Sequence, residues 1–143
     1  MRPGDRVAIQ SDNRPAWVFV DLAVQALGAV CVGVYPTSPS AELQYLLRHS
    51  GSSVLVAEDE EQLDKALEIW HEVPTLRHVV VVDTRGIDIG SRAGLLSYEH
   101  LEALGKDGTI EWLASCVSYV NPEQTAIIVY TSGTTGPPKG AML

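Results

Sequence analysis

Short runs of β-branched residues alternate with longer amphipathic stretches through the N-terminal part of the chain, and this alternation constrains the fold more than any other feature. The runs are Val7 to Gln10, Ala29 to Val34, Ser53 to Val56 and His78 to Asp83. Three of them are continuously apolar, as strands covered on both faces of a parallel sheet must be. Repeated strand and helix is the pattern of a domain wound with right-handed crossovers. The sequence therefore predicts an α/β fold, a parallel sheet with helices on both faces.

Start and stop signals for helices lie between these runs. Asn13 is predicted to cap the first helix and Gly28 to end it. Ser40 is predicted to cap the second helix, and Gly51 to end it in the left-handed conformation that glycine adopts easily. The third helix opens with the acidic run Glu58 to Glu61, which complements the positive end of a helix dipole. The acidic run is therefore interpreted as a solvated helix start and not as a metal site.

The pattern weakens in the second half of the chain. Ser97 is predicted to open a short helix from Tyr98 to Leu104. The segment Glu111 to Val117 is compatible with a helix or a strand, because its apolar residues are too closely spaced to decide. Thr125 to Tyr130 is a β-branched run and is predicted to be a strand. This strand leads directly into a glycine-rich segment.

Composition excludes several classes of function. The chain has 143 residues with 45% hydrophobic and 20% charged content, which is typical of one globular domain. Its net charge of −8 argues against a nucleic-acid surface, which needs clustered cations. Its apolar runs are far shorter than the ~20 residues of a membrane-spanning helix. The N-terminal residues lack an apolar signal segment, so a cytoplasmic location is predicted.

The residues that often build metal or acid–base sites are scattered. Cys31 and Cys116 lie far apart without a CxxC or Cys/His pattern, so both are predicted to be buried free thiols. The four histidines have no partner at metal-binding or catalytic spacing, so none is assigned a role. No catalytic residue and no metal ligand is therefore predicted within this chain.

The chemistry is concentrated in the glycine-rich segment from Thr131 to Gly140. It contains four hydroxyl side chains, three glycines and one lysine within ten residues, directly after a predicted strand. Polyphosphate binding needs many donors in a small volume, and glycines let backbone N–H groups approach the oxygens. Such a string is also typical of a flexible turn, but here it follows a run that is predicted to be a buried strand and shows no low complexity. The spacing matches neither GxGxxG nor the Walker motif, since Lys139 is followed by Gly140 instead of Ser or Thr.

The segment Tyr130 to Leu143, YTSGTTGPPKGAML, resembles the phosphate-loop signature of the AMP-forming adenylate-forming enzymes. This family includes acyl-CoA synthetases, luciferases and nonribosomal-peptide adenylation domains. Upstream stretches, GDRVAI from Gly4 and LQYLLRH from Leu43, are similar to long-chain fatty acyl-CoA synthetases. The resemblance thus favours the fatty-acid branch over the branch that activates amino acids.

The resemblance implies a two-step ligase reaction. A long-chain fatty acid and ATP give acyl-AMP and pyrophosphate, and coenzyme A then takes the acyl group and releases AMP. ATP, Mg²⁺ with ligands outside this chain, and coenzyme A as co-substrate are implied. The expected partners are small molecules, and the resemblance is compatible with peripheral membrane contact of the parent protein. The residues that match the family's ATP contacts are Thr131, Ser132, Gly133, Thr134, Thr135, Gly136 and Lys139.

The family signatures that place magnesium, ribose, the hinge and the catalytic lysine have no counterpart in residues 1–143. The chain is therefore expected to be a partial AMP-binding N-terminal domain, truncated at both ends and without the C-terminal domain. In isolation it is expected to bind ATP weakly or not at all and to catalyse nothing. Two alternatives stay open: an adenylation domain that loads a carrier protein, and a non-catalytic nucleotide-binding remnant.

Overall fold

The computed structural model describes residues 1–131 and 136–143, except for the side chain of Ser91. These residues form one sheet of seven strands in the order β5-β4-β3-β1-β2-β6-β7. All neighbouring strands are parallel except β6 and β7, which pair antiparallel. The strands are β1 Arg6–Gln10, β2 Val30–Val34, β3 Val54–Ala57, β4 His78–Val81, β5 Leu95–Ser97, β6 Ile127–Thr131 and β7 Lys139–Met142.

Helices cover both faces of the sheet, which confirms the predicted fold class. They are α1 Pro15–Ala26, α2 Ser40–Ser50, α3 Glu60–Ile69, α4 Tyr98–Leu104 and α5 Ile110–Ser118, with short 3-10 turns at Trp70–Glu72 and Ile89–Ser91. Side chains of a strand point alternately to opposite faces, so β1 sends Ala8 into the core under α2 and α3. Its neighbours Val7 and Ile9 pack on the other face with Val20 and Val24 of α1.

Two of the predicted N-caps, Asn13 and Ser40, are wrong. The cap of α1 is Arg14, which has an extended backbone and no side-chain cap bond, because Pro15 occupies the first helical position. Ser40 is the first residue of α2, and its hydroxyl donates a hydrogen bond to Glu68 of α3 instead. In α2 the cap position is taken by Pro39, whose backbone is extended.

The predicted helix ends are confirmed. Gly28 follows α1 with φ of 69°, and Gly51 caps α2 with φ of 67°. In the second half of the chain, Ser97 caps α4 by accepting the N–H of His100. The segment whose structure was left open is a helix, α5, which Thr109 caps through its hydroxyl.

Large apolar side chains remain exposed on the outer faces of α1 and α5. Val18, Phe19 and Leu22 are 50%, 61% and 58% exposed, and Ile110 is 82% exposed. Between α1 and α4 an apolar groove of about 580 Å³ opens over the sheet. Among the described residues, no helix has the length and apolar character required to cross a membrane.

The two cysteines lie in different environments. Cys31 is fully buried in β2. Burial raises the pKa of its thiol, and the nearby Asp21 carboxylate adds to the rise. Cys116 is half-buried on α5, so the prediction of two buried thiols is wrong for this residue.

Candidate functional site

The carboxyl edge of the sheet opens into a crevice beside its central strands. The chain after β1 leads to α1 on one face, and the chain after β2 leads to α2 on the other face. Adjacent parallel strands whose connections leave in opposite directions create a crevice outside their carboxyl ends, where α/β proteins commonly bind ligands. Because β6 runs parallel to β2, its C-terminal residue Thr131 reaches this same edge.

The glycine-rich segment connects β6 to β7 at this edge. Thr131 is the last residue of β6 and Lys139 is the first of β7, and the two are direct cross-strand partners. Both side chains are exposed. Gly136 has φ of 93°, a conformation that favours glycine. Of the predicted ATP contacts, Thr131, Gly136 and Lys139 are described here, whereas Ser132, Gly133, Thr134 and Thr135 lie outside the described residues.

Two cavities flank the start of this connection. One, of about 290 Å³, is lined by the residues after β1, including Asp12 and Asn13, and by Trp17. The other, of about 340 Å³, reaches Glu42, Thr131 and Pro138. The two cavities share Gly33 and Tyr35 of the β2 end and Tyr130 of β6. Thr131 was predicted as an ATP contact, whereas the shared residues Gly33 and Tyr35 were not assigned to a site, although their position at the end of a strand is a usable signal.

Tyr130 is a buried anchor at the entry of the connection. It is 6% exposed, and burial raises the pKa of its phenol. Its ring lies next to Gly140 of β7, where a Cβ atom would stand 3.3 Å from Tyr130 Cζ and 2.9 Å from Ile128 Cγ2. The absence of a side chain at position 140 therefore lets β7 pack against the ring.

Gln10 supports the floor of the crevice from inside the protein. It is fully buried at the end of β1, and its Nε2 donates to the carbonyls of Ser38 (3.3 Å) and Tyr35 (3.4 Å). Gln10 is a polar residue at the end of an apolar strand, a sequence signal that did not lead to a prediction. Through these bonds Gln10 ties the turn after β2 to the central strand.

Glu58 links the turn after β1 to the end of β3. Its carboxylate accepts the Asp12 N–H at 2.6 Å and the Ser11 hydroxyl at 3.2 Å, and it forms an ion pair with Arg14 at 3.2 Å. From the sequence, Glu58 was interpreted as part of a solvated acidic run. In the structure its carboxylate instead holds the turn after β1 in place at the carboxyl edge of the sheet. Within residues 1–131 and 136–143, no group of three or more His, Cys, Asp or Glu side chains converges to hold a metal ion.

Comparison with known proteins identifies the family. The sequence model described as AMP-binding enzyme matches residues 1–143. The chain is 35% identical over 137 residues to long-chain-fatty-acid–CoA ligase ACSBG1 of Rattus norvegicus (96% of this chain, 19% of the relative). It is 32% identical over 143 residues to long-chain-fatty-acid–CoA ligase FadD15 of Mycobacterium tuberculosis (100% and 22%).

The fold also matches solved structures of this group. The anthranilate CoA ligase AuaEII in complex with anthranoyl-AMP superposes with a TM-score of 0.76 at 26% identity, over 99% of this chain and 25% of that one. The chain spans about a fifth of the length of the curated relatives it matches. The family match over the whole chain and the shared fold lead to one conclusion: this chain belongs to the AMP-binding family of adenylate-forming enzymes.

Proposed function

We propose that this chain is the phosphate-binding part of an ATP-dependent long-chain fatty acid–CoA ligase. The observation that carries the proposal is the connection between β6 and β7, rich in hydroxyls and glycines and ending in Lys139, at the carboxyl edge beside the crevice. In this proposal, residues 1–143 are a slice of the large N-terminal domain of a longer ligase, whose C-terminal domain lies outside them.

In the first step, a carboxylate oxygen of the acid attacks the α-phosphorus of ATP. The bond to the bridging oxygen breaks, and pyrophosphate leaves with the electron pair. In the second step, the thiol of coenzyme A attacks the acyl carbonyl, loses its proton and expels AMP. Because charge builds up on the departing pyrophosphate, donors directed at the β- and γ-phosphates accelerate the first step.

The proposed donors are Thr131, Ser132, Gly133, Thr134, Thr135, Gly136 and Lys139. Lys139 contributes a flexible positive charge on the pyrophosphate side. It is exposed at the start of β7 and forms no ion pair with the residues that the structure describes. Bound Mg²⁺ adds further positive charge to the phosphates, and its ligands are proposed to lie outside residues 1–143.

The fatty-acid branch is supported by relatives at 32% to 35% identity that are long-chain-fatty-acid–CoA ligases. The proposed partners are small molecules: a long-chain acid, ATP and coenzyme A. A cytoplasmic location is proposed with them.

The test is acid-dependent exchange of labelled pyrophosphate into ATP by the full-length protein that carries this segment. We expect exchange to be faster with long-chain fatty acids than with short acids or amino acids. Lys139→Ala should slow exchange by ~10²-fold, as the loss of one transition-state donor does, whereas Lys106→Ala, in an exposed turn, is the matched control. Faster exchange with amino acids would favour a carrier-loading domain, and no exchange with any acid would favour a non-catalytic remnant.

A further inference from the structure

Two aromatic side chains of α2 hold the two ends of the phosphate loop. The Tyr45 hydroxyl donates to the carbonyl of Pro138 at 3.0 Å, just before Lys139. The His49 Nδ1 and the Tyr130 hydroxyl are 2.8 Å apart, just before Thr131. One helix is therefore bonded to Tyr130, which precedes the glycine-rich segment, and to Pro138, near the end of that segment, although both lie far away in sequence.

The two α2 side chains form one unit. Tyr45 and His49 lie one helical turn apart, on the same face of the helix. Their rings stack with centroids 5.4 Å apart and an interplanar angle of 27°. The His49 ring in turn meets Tyr130 edge-on, with centroids 5.7 Å apart and an angle of 77°. The three rings thus form one continuous set of contacts from α2 to β6.

The helix that carries this pair is itself fixed to the sheet. Leu43 and Leu47 are fully buried in the core. At its C-terminus, the Arg6 guanidinium of β1 donates through Nε to the Ser50 carbonyl at 2.7 Å and lies near that of Gly51. A charged donor at this end also complements the helix dipole. The loop ends are thus bonded to a helix that the core holds in place.

We infer that Tyr45 and His49 are positioning residues for ATP, acting through the two ends of the phosphate loop. This inference rests on the proposed function of the loop. Bonds that fix Tyr130 and Pro138 also hold their neighbours Thr131 and Lys139 in place, so these two proposed donors lose less conformational freedom when ATP binds and binding is tighter. Loss of one such bond should weaken ATP binding roughly five-fold, the equivalent of one neutral hydrogen bond. The fatty acid and coenzyme A do not contact the loop in this scheme, so their KM values should be unchanged.

The experiment compares Tyr45→Phe and His49→Phe in the full-length protein. The first removes only the hydroxyl, and the second replaces the imidazole by an aromatic ring that cannot form the hydrogen bond. Gln44→Ala is the matched control on α2, because Gln44 donates a 2.6 Å hydrogen bond to Glu72, away from the loop. Tyr119→Phe, at an 87% exposed tyrosine, controls for the loss of a phenol hydroxyl. The measurements are the Kd of ATP by calorimetry, the KM of each substrate and the Tm.

We expect both ring variants to raise the Kd and KM of ATP alone, with the controls unchanged and His49→Asn restoring part of the affinity. The double variant of His49→Phe and Tyr130→Phe should have a Kd of ATP no higher than that of the single variant that binds ATP less tightly, because both substitutions remove the same hydrogen bond. A lower Tm with unchanged ATP affinity would overturn the inference and assign the bonds to stability. If the wild-type protein shows no acid-dependent exchange and no ATP binding, the proposed function fails first.

Discussion

A methyl group added at Gly140 tests whether β7 is packed against Ile128 and Tyr130 of β6 as the structure shows. In Gly140→Ala, the new Cβ would stand 2.9 Å from Ile128 Cγ2 and 3.3 Å from Tyr130 Cζ. The first contact is well inside the 3.5 to 4 Å optimum for two carbon atoms. Ile128 is β-branched and stiff, so it cannot easily move aside. We expect the variant to lose about 1–3 kcal/mol of unfolding free energy, as overpacked sites do.

The assay is urea unfolding of a double-mutant cycle. Ile128→Ala alone should lose about 2 kcal/mol because Ile128 is only partly buried. In that background the main clash is gone, so Gly140→Ala should cost less than about 0.5 kcal/mol. The two substitutions should therefore be strongly non-additive. Additive losses would refute the packing described for this hairpin.

A second glycine provides the control. Gly33 lies in β2, and a Cβ atom there would meet its nearest neighbour, Trp17, at 4.0 Å. Gly33→Ala should be neutral or stabilise the protein, since glycine weakens a strand interior. A loss at Gly33 equal to that at Gly140 would point to a general effect of alanine in this sheet and contradict the specific clash.

Three further substitutions or reactions report on the rest of the fold. Arg6→Met should lower the unfolding free energy by about 2 kcal/mol, measured by urea unfolding, because the last carbonyls of α2 lose a charged donor. Arg6→Lys should lower it less, and an equal loss in the two variants would argue against these hydrogen bonds. Leu47→Ala should lose about 2–5 kcal/mol, whereas Leu104→Ala, 67% exposed, should stay within about 0.5 kcal/mol. Maleimide should label Cys116 readily in the folded protein and Cys31 only after denaturation. Rapid labelling of both thiols in the folded protein would contradict the burial of Cys31. Because burial raises the pKa of the Cys31 thiol, the neutral thiol contributes fully to the free energy of unfolding at lower pH. This contribution falls as the pH rises above about 8.5, the pKa of a thiol in the unfolded chain.

The strands and helices of the N-terminal part were predictable because each carries its own local signal. Gly51 is an example: a helix followed by glycine ends in the left-handed conformation, which the structure confirms. Asn13 shows where local signals compete, since a cap residue two positions ahead of Pro15 yields to the fixed φ of the proline. The three-residue strand β5 was missed, because so short a run has no period to read.

The candidate site was predictable in one part. The motif predicts a phosphate-binding segment and its donors, because phosphate binding depends on residue types that are close together in sequence. The roles of these donors stay a prediction. The antiparallel pairing of β7 with β6 was not predicted. The contacts from α2 were not predictable, since they join residues far apart in the chain. His49 was assigned no role from the sequence, and its partner Tyr130 lies 81 positions away. Gln10 and Glu58 likewise gain their contacts from the sheet order.

The fate of the carboxylate oxygens of the acid tests the central claim most directly. The full-length protein would be given a long-chain fatty acid labelled with heavy oxygen in its carboxylate, together with ATP, Mg²⁺ and coenzyme A, and the products would be analysed by mass spectrometry. If the carboxylate attacks the α-phosphorus of ATP, each AMP released must carry one heavy oxygen from the acid, in step with acyl-CoA formation. Acyl-CoA formed with unlabelled AMP, or heavy oxygen found in inorganic phosphate beside ADP, would contradict adenylation.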